Sequence, residues 1–148
     1  MNPAGGYRRV LGADQAFANA TGGTAAAIGE FSFPIKQGEV WHFELELITT
    51  GVSGGGKVSV SGPANPNLLS LTVRGLTSGI TAYSTDTITA VDTLSAAYNT
   101  SAVTGVLHVR GAFGASAAGT VSFNAANVTN SASFAILKGS TMIATRIA

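Results

Sequence analysis

The sequence predicts an all-β domain. Three observations carry that expectation: apolar side chains recur at every second residue, turn residues punctuate the chain at short intervals, and no long stretch keeps a helical period. The plainest case is Glu39–Thr50, EVWHFELELITT, in which Trp41, Phe43, Leu45 and Leu47 alternate with His42, Glu44 and Glu46. Successive side chains of a strand point to opposite faces, so the first set faces a core and the second faces water or a neighbour.

The elements follow in chain order. Residues 1–13 contain glycine, are basic and lack periodicity, and read as a flexible arm. Residues 14–148 read as one β domain with strands expected at Ala27–Phe33, Glu39–Thr50, Lys57–Ser61, Leu68–Gly75, Gly79–Ser84, Val103–Phe113, Gly119–Val128, Ala132–Leu137 and Thr141–Ile147. Turn signals separate them: Pro34 with Gly38, the run GVSGGG at 51–56, Gly62 to Asn67, Gly114 to Gly119, Asn127 to Asn130, and Gly139. Many short strands so punctuated predict a sandwich or a barrel. Thr93–Tyr98 alone is expected to form a helical turn, with Asp92 as its N-cap. The alternating segments Val106–Phe113 and Thr120–Val128 are expected to pair as a hairpin.

Composition narrows the function. The chain has 148 residues, one domain's worth. Charged residues make up 10%, against about 25% in an average globular domain. Ser, Thr, Asn, Gly and Ala fill the difference, which suits a protein with much of its surface buried in an assembly. Net charge is +1, and only Arg8 and Arg9 are adjacent among the basic residues, so no basic stripe for nucleic acid exists. There is no cysteine, hence no thiolate or disulfide chemistry. No apolar run is long enough to span a membrane, and the opening MNPAGGYRRV is not a secretory signal.

Three stretches resemble chemical motifs and fail on context. Gly51 to Lys57 fits a phosphate loop, but Val58 stands where Ser or Thr must hold magnesium, and a strand follows instead of a helix. Gly51-Val52-Ser53-Gly54-Gly55 fits a nucleophile elbow without the helix or parallel sheet that the elbow needs. His42, Glu44 and Glu46 share a strand face and have metal-binding side chains. His108 and Arg110 show the same alternation on another strand, so a charge network, solvated or between subunits, is the stronger expectation. Glu44 and Glu46 lie about 7 Å apart along one strand, and nothing in the sequence gives them separate acid and base environments. No enzyme activity, cofactor or metal is therefore expected. Trp41 reads as a core residue rather than a sugar platform. The sequons at Asn19, Asn99 and Asn127 matter only in a secreted eukaryotic protein.

The strings VLHVRGAF (Val106–Phe113), AAGTVSFNAAN (Ala117–Asn127) and KGSTMIATRI (Lys138–Ile147), with IKQGEVWHFELEL (Ile35–Leu47) and KVSVSGP (Lys57–Pro63) upstream, resemble a pattern in small tailed-phage virion proteins and phage fibre tips. The resemblance runs loosely from Asp14 to the end, and its most specific part is the G-S-x-x-x-A-x-R-I ending. It implies an antiparallel jelly-roll-like (tumour-necrosis-factor-like) β-sandwich that forms a homotrimer. It also implies a place on the virion as a capsid decoration (cement) protein on the outer head surface, bound to the major capsid protein, or as a receptor- or glycan-binding fibre tip. A tip normally follows a long shaft, whereas this chain opens on a short arm, which favours decoration. Tyr7, Arg8 and Arg9 are then the expected capsid contacts, and His42, Glu44, Glu46, His108 and Arg110 an inter-subunit polar face.

Overall fold

The computed structural model describes residues 5–17, 25–50, 55–77, 83–98, 104–128 and 134–148. Among these, the chain is all β. A large antiparallel sheet contains, in spatial order, β1 (Gly6–Val10), β11 (Thr141–Arg146), β4 (Val40–Thr50), β8 (Thr104–Gly114), β6 (Leu68–Leu76) and β7 (Tyr83–Ile88). At the far end of β4 this sheet also takes in β10 (Phe134–Ile136), which carries β2 (Gln15–Phe17) on its other edge. A small sheet contains β3 (Ala26–Ile35), β9 (Gly119–Asn127) and β5 (Gly56–Ser61).

The chain changes sheet at every step from β2 to β6, and again through β8, β9 and β10. The result is an antiparallel jelly-roll-like sandwich. Residues 92–98 run along the free edge of β5 and extend the small sheet. Asp92 N donates to Val60 O at 2.8 Å, Ser95 N to Val58 O at 2.9 Å, and Tyr98 N to Gly56 O at 2.9 Å. The hairpin of β6 and β7 is thereby an extension of the large sheet beside β8.

The core lies between the sheets and is aromatic at one end. Trp41 and Phe33 meet at 5.0 Å between ring centroids, Phe43 and Phe123 edge-on at 4.9 Å. Leu45, Leu47, Leu71, Val73, Leu107 and Val109 continue it on the large sheet, and Val58, Val60 and Val121 on the small one, all buried. Burial of such side chains contributes about 1.5–3 kcal/mol each. A bulge between Ala27 and Ser32 breaks the register of β3. Gln15 stitches it to β2: its Nε2 donates to Ala27 O at 2.8 Å, and its Oε1 accepts from Gly29 N at 2.7 Å, where Gly29 holds φ +45°.

Three expectations need correction. Residues 6–10 are not a free arm; they form β1, paired residue for residue with β11 from Gly6–Thr145 to Val10–Thr141. Tyr7 packs on Trp41 at 5.5 Å, and that apolar burial together with the ladder holds the strand down. Second, β8 and β9 are not a hairpin. β8 pairs with β4 and β6, β9 with β3 and β5, and each buries its apolar side in the shared core from a different sheet. Third, Thr93–Tyr98 is extended, and Asp92 caps no helix; it sits at φ +57°, and its carboxylate accepts a hydrogen bond from Ser61 Oγ. The strand expected from Gly79 is described from Tyr83 onward, and residues 79–82 lie outside the described residues, as does most of the GVSGGG run (51–54).

Candidate functional site

Registry across the large sheet stacks its outward side chains in rows. One row reads Arg8, Ile143, Glu44, Arg110, Thr72, Thr87 from edge to edge. The next reads Val10, Thr141, Glu46, His108, Arg74, Thr85. The alternation of β4 and β8 makes these rows: their inward set is core, so the polar set must face out.

The structure thus brings together the sequence-predicted polar face. Glu44 Oε1 accepts from Arg110 Nη2 at 2.5 Å and from Arg110 Nε at 3.0 Å. Glu46 Oε1 lies 4.0 Å from His108 Nδ1. His42 stands one step away, opposite Ala112 and Thr145. Both contacts are largely exposed, so the Glu44–Arg110 ion pair contributes at most about 1 kcal/mol to stability. Glu44, Glu46, Thr72, Arg74, His108 and Arg110 line a shallow groove of about 420 Å³. Acids occupy β4 and bases occupy β8 and β6, so the groove is polarised across the strands. Arg74, which sequence reasoning missed, also lies 5.8 Å from the exposed Tyr83 ring. Its signal was present: it falls on the outward phase set by Leu69, Leu71 and Val73. Exposed Val10, Ile143, Val106, Leu68 and Tyr83 surround the charges on the same face.

Tyr7, Arg8 and Arg9 are not a contiguous contact patch. Tyr7 and Arg9 pair with Ala144 and Met142, the inward residues of β11, and so point between the sheets; the Arg9 guanidinium lies over the Tyr7 ring at 5.6 Å. Arg8 alone faces out. Trp41 is buried, and its Nε1 donates to Glu39 Oε2 at 3.0 Å, so it forms no sugar platform. Asn127 is buried within β9, which closes its sequon.

Glu39 is a second site that the sequence did not announce. Its carboxylate accepts Lys36 N at 3.0 Å and Trp41 Nε1, and pairs with Arg146 Nη1 at 3.0 Å. The Lys36 amide first, then the indole N–H and Arg146, hold its pKa below the ordinary glutamate value. These bonds tie the turn before β4 to the end of β11. The end of the sandwich that they close also holds both described chain ends, since Gly5 O accepts from Arg146 N and Ala148 O from Val40 N.

An antiparallel two-sheet β-sandwich with one broad, mixed charged and apolar outer face is the class that the fold and site define. No protein-family model matches the sequence, and no curated protein matches it. Among solved structures, the chain is similar to those of infectious bursal disease virus. It shares 16% identity with the Gx strain structure over 94% of this chain, at a TM-score of 0.25. It shares 16% with the Gt strain structure over 99%, at 0.28, and 13% with the VP2 subviral particle over 97%, at 0.25. The chain spans only 36% to 38% of the length of those proteins. So weak a likeness assigns no role to any residue.

Proposed function

We propose that this chain is a virion structural protein, a homotrimer that decorates the outer surface of a phage head by binding the major capsid protein and stabilises the shell. The observation that carries the reading is the outer face of the large sheet. Its registered rows of opposite charge, ringed by exposed apolar side chains, are the mix found at protein interfaces, and an isolated domain gains nothing from leaving Ile143, Val106 and Tyr83 in water. The low charge of the sequence and its resemblance to tailed-phage virion proteins support it. A subunit that binds the intact shell and not its parts raises shell stability by mass action.

The test is light scattering on the purified protein, then sedimentation with emptied heads. A trimer that co-sediments and raises the melting temperature of the shell supports the reading; a monomer, or a trimer that ignores shells, overturns it. Arg8→Glu is the variant of choice for the capsid contact, because deletion of residues 2–13 also removes β1. Shell binding unchanged by it would remove Arg8 from the contact.

A second reading is a receptor- or glycan-binding tip. Tyr83, an aromatic side chain exposed beside Arg74 at the margin of the charged groove, is the observation that favours it. Saturable binding to host cells without shell binding would favour it.

A further inference from the structure

Behind the small sheet, away from the charged groove, lies a cavity of about 220 Å³ lined by Ala25, Ser59, Ser61, Asp92, Leu94 and Asn124. Ser59 and Asn124 face each other across β5 and β9 on the side opposite the core. Both are buried, at 3% and 9% exposure. Asn124 Nδ2 donates to Ser61 Oγ at 2.7 Å, and Ser61 Oγ donates to Asp92 Oδ1. This relay fixes the orientation of the amide and the carboxylate. It leaves Asn124 Oδ1, Asp92 Oδ2 and the Ser59 hydroxyl without a hydrogen-bond partner among the described residues. Left-handed backbone at Asp92 turns this carboxylate back onto the sheet, a conformation that costs about 1–2 kcal/mol away from glycine and is least costly for Asp or Asn.

The lining selects its ligand class. The Asp92 carboxylate disfavours an anion, and among the described residues no Lys or Arg borders the cavity to offset it. Among the described residues, no three of His, Asp or Glu are grouped to hold a metal ion. A hydrophobic guest would strand the three polar atoms. A neutral polyhydroxylated ring satisfies them: its hydroxyls donate to the carboxylate and the amide oxygen and exchange a bond with Ser59, while Ala25 and Leu94 meet its C–H face. We propose that this cavity is a binding subsite for one saccharide ring, with Asp92, Asn124 and Ser59 as the hydroxyl-reading residues. The proposal deepens the second functional reading above and rests on it for its biological setting.

Saturation-transfer difference NMR on the full chain, with D-glucose, D-galactose, L-rhamnose and N-acetyl-D-glucosamine as probes, tests it. At least one sugar is expected to give saturable transfer, and Asp92→Asn, which keeps the left-handed backbone, is expected to weaken it about tenfold, or about 1.4 kcal/mol. Ser59→Ala, a change at a hydroxyl that holds nothing in the fold, serves as the second variant. No transfer from any of the four sugars, or transfer unchanged in both variants, overturns the subsite. Cell binding that survives both variants would overturn the subsite while leaving the tip reading in place.

Discussion

Phe43 on β4 and Gly111 on β8 stand directly opposite each other, and the Phe43 ring occupies the space that a side chain at 111 would need. A Cβ there would come within 2.7 Å of Phe43 Cζ and run into the Ser70 carbonyl on the next strand. Gly111→Ala is therefore expected to destabilise the fold by about 1–3 kcal/mol, the cost of overpacking a close-packed interior. Urea unfolding checks it; an unchanged midpoint would mean that the ring and strand give way freely.

Glu39 sets an acid limit. Its folded pKa is lowered from an ordinary 4.5, so the stability that it contributes is complete above that value and is lost as pH falls through the lower folded pKa. Glu39→Gln is expected to cost about 1.5–3 kcal/mol at neutral pH, the range for hydrogen bonds to a charged group. The gap between the variant and the parent should narrow as pH falls below 4.5. Thermal melts of both proteins across that range provide the measurement, and a gap independent of pH would contradict the assignment.

The Glu44–Arg110 pair is short but exposed. A double-mutant cycle with Glu44→Ala and Arg110→Ala is expected to give a coupling energy of about 0.2–1 kcal/mol, falling as salt is added. A coupling well above this range in the isolated chain would mean that the pair is shielded from water, for example by a second copy.

Tyr98 is fully buried, and its hydroxyl donates to Val73 O at 3.0 Å. Burial first, and the negative charge of Asp86 next, raise its pKa above 10.0. Its contribution to stability is present below that value and is lost as pH rises through the folded pKa. Tyr98→Phe is expected to cost about 1–3 kcal/mol by stranding the Val73 carbonyl. Denaturant melts at pH 8 and at pH 11 should show the parent losing stability faster than the variant.

Strand positions and facing were legible wherever a period of two is unbroken. Trp41 to Leu47 gave the inward face of β4, and His42, Glu44 and Glu46 its outward one; β8 behaves alike. Strand order was not legible, because partners are chosen by long-range burial, as the separation of β8 from β9 shows. β1 escaped notice because its inward residues are Tyr7 and Arg9. An arginine that packs over an aromatic ring does not register as apolar, although its stem and planar head fill the same space. Asp92 misled through local chemistry: the carboxylate that caps a helix can equally brace a left-handed turn. The polar cavity combines residues from four separate parts of the chain, each unremarkable alone.

β11 is paired on both edges, with β1 on one side and β4 on the other, although it is made after every other described strand. During synthesis, β4 leaves the ribosome long before its neighbour exists, and the Gly6–Val10 segment waits longer still. Until Thr141–Arg146 emerges, the nascent sheet carries an open edge beside Phe43 and Leu45. Closure of this edge consequently waits for Thr141–Arg146, and messages truncated just upstream of this strand should yield chains that aggregate or are degraded rather than a slightly weakened fold.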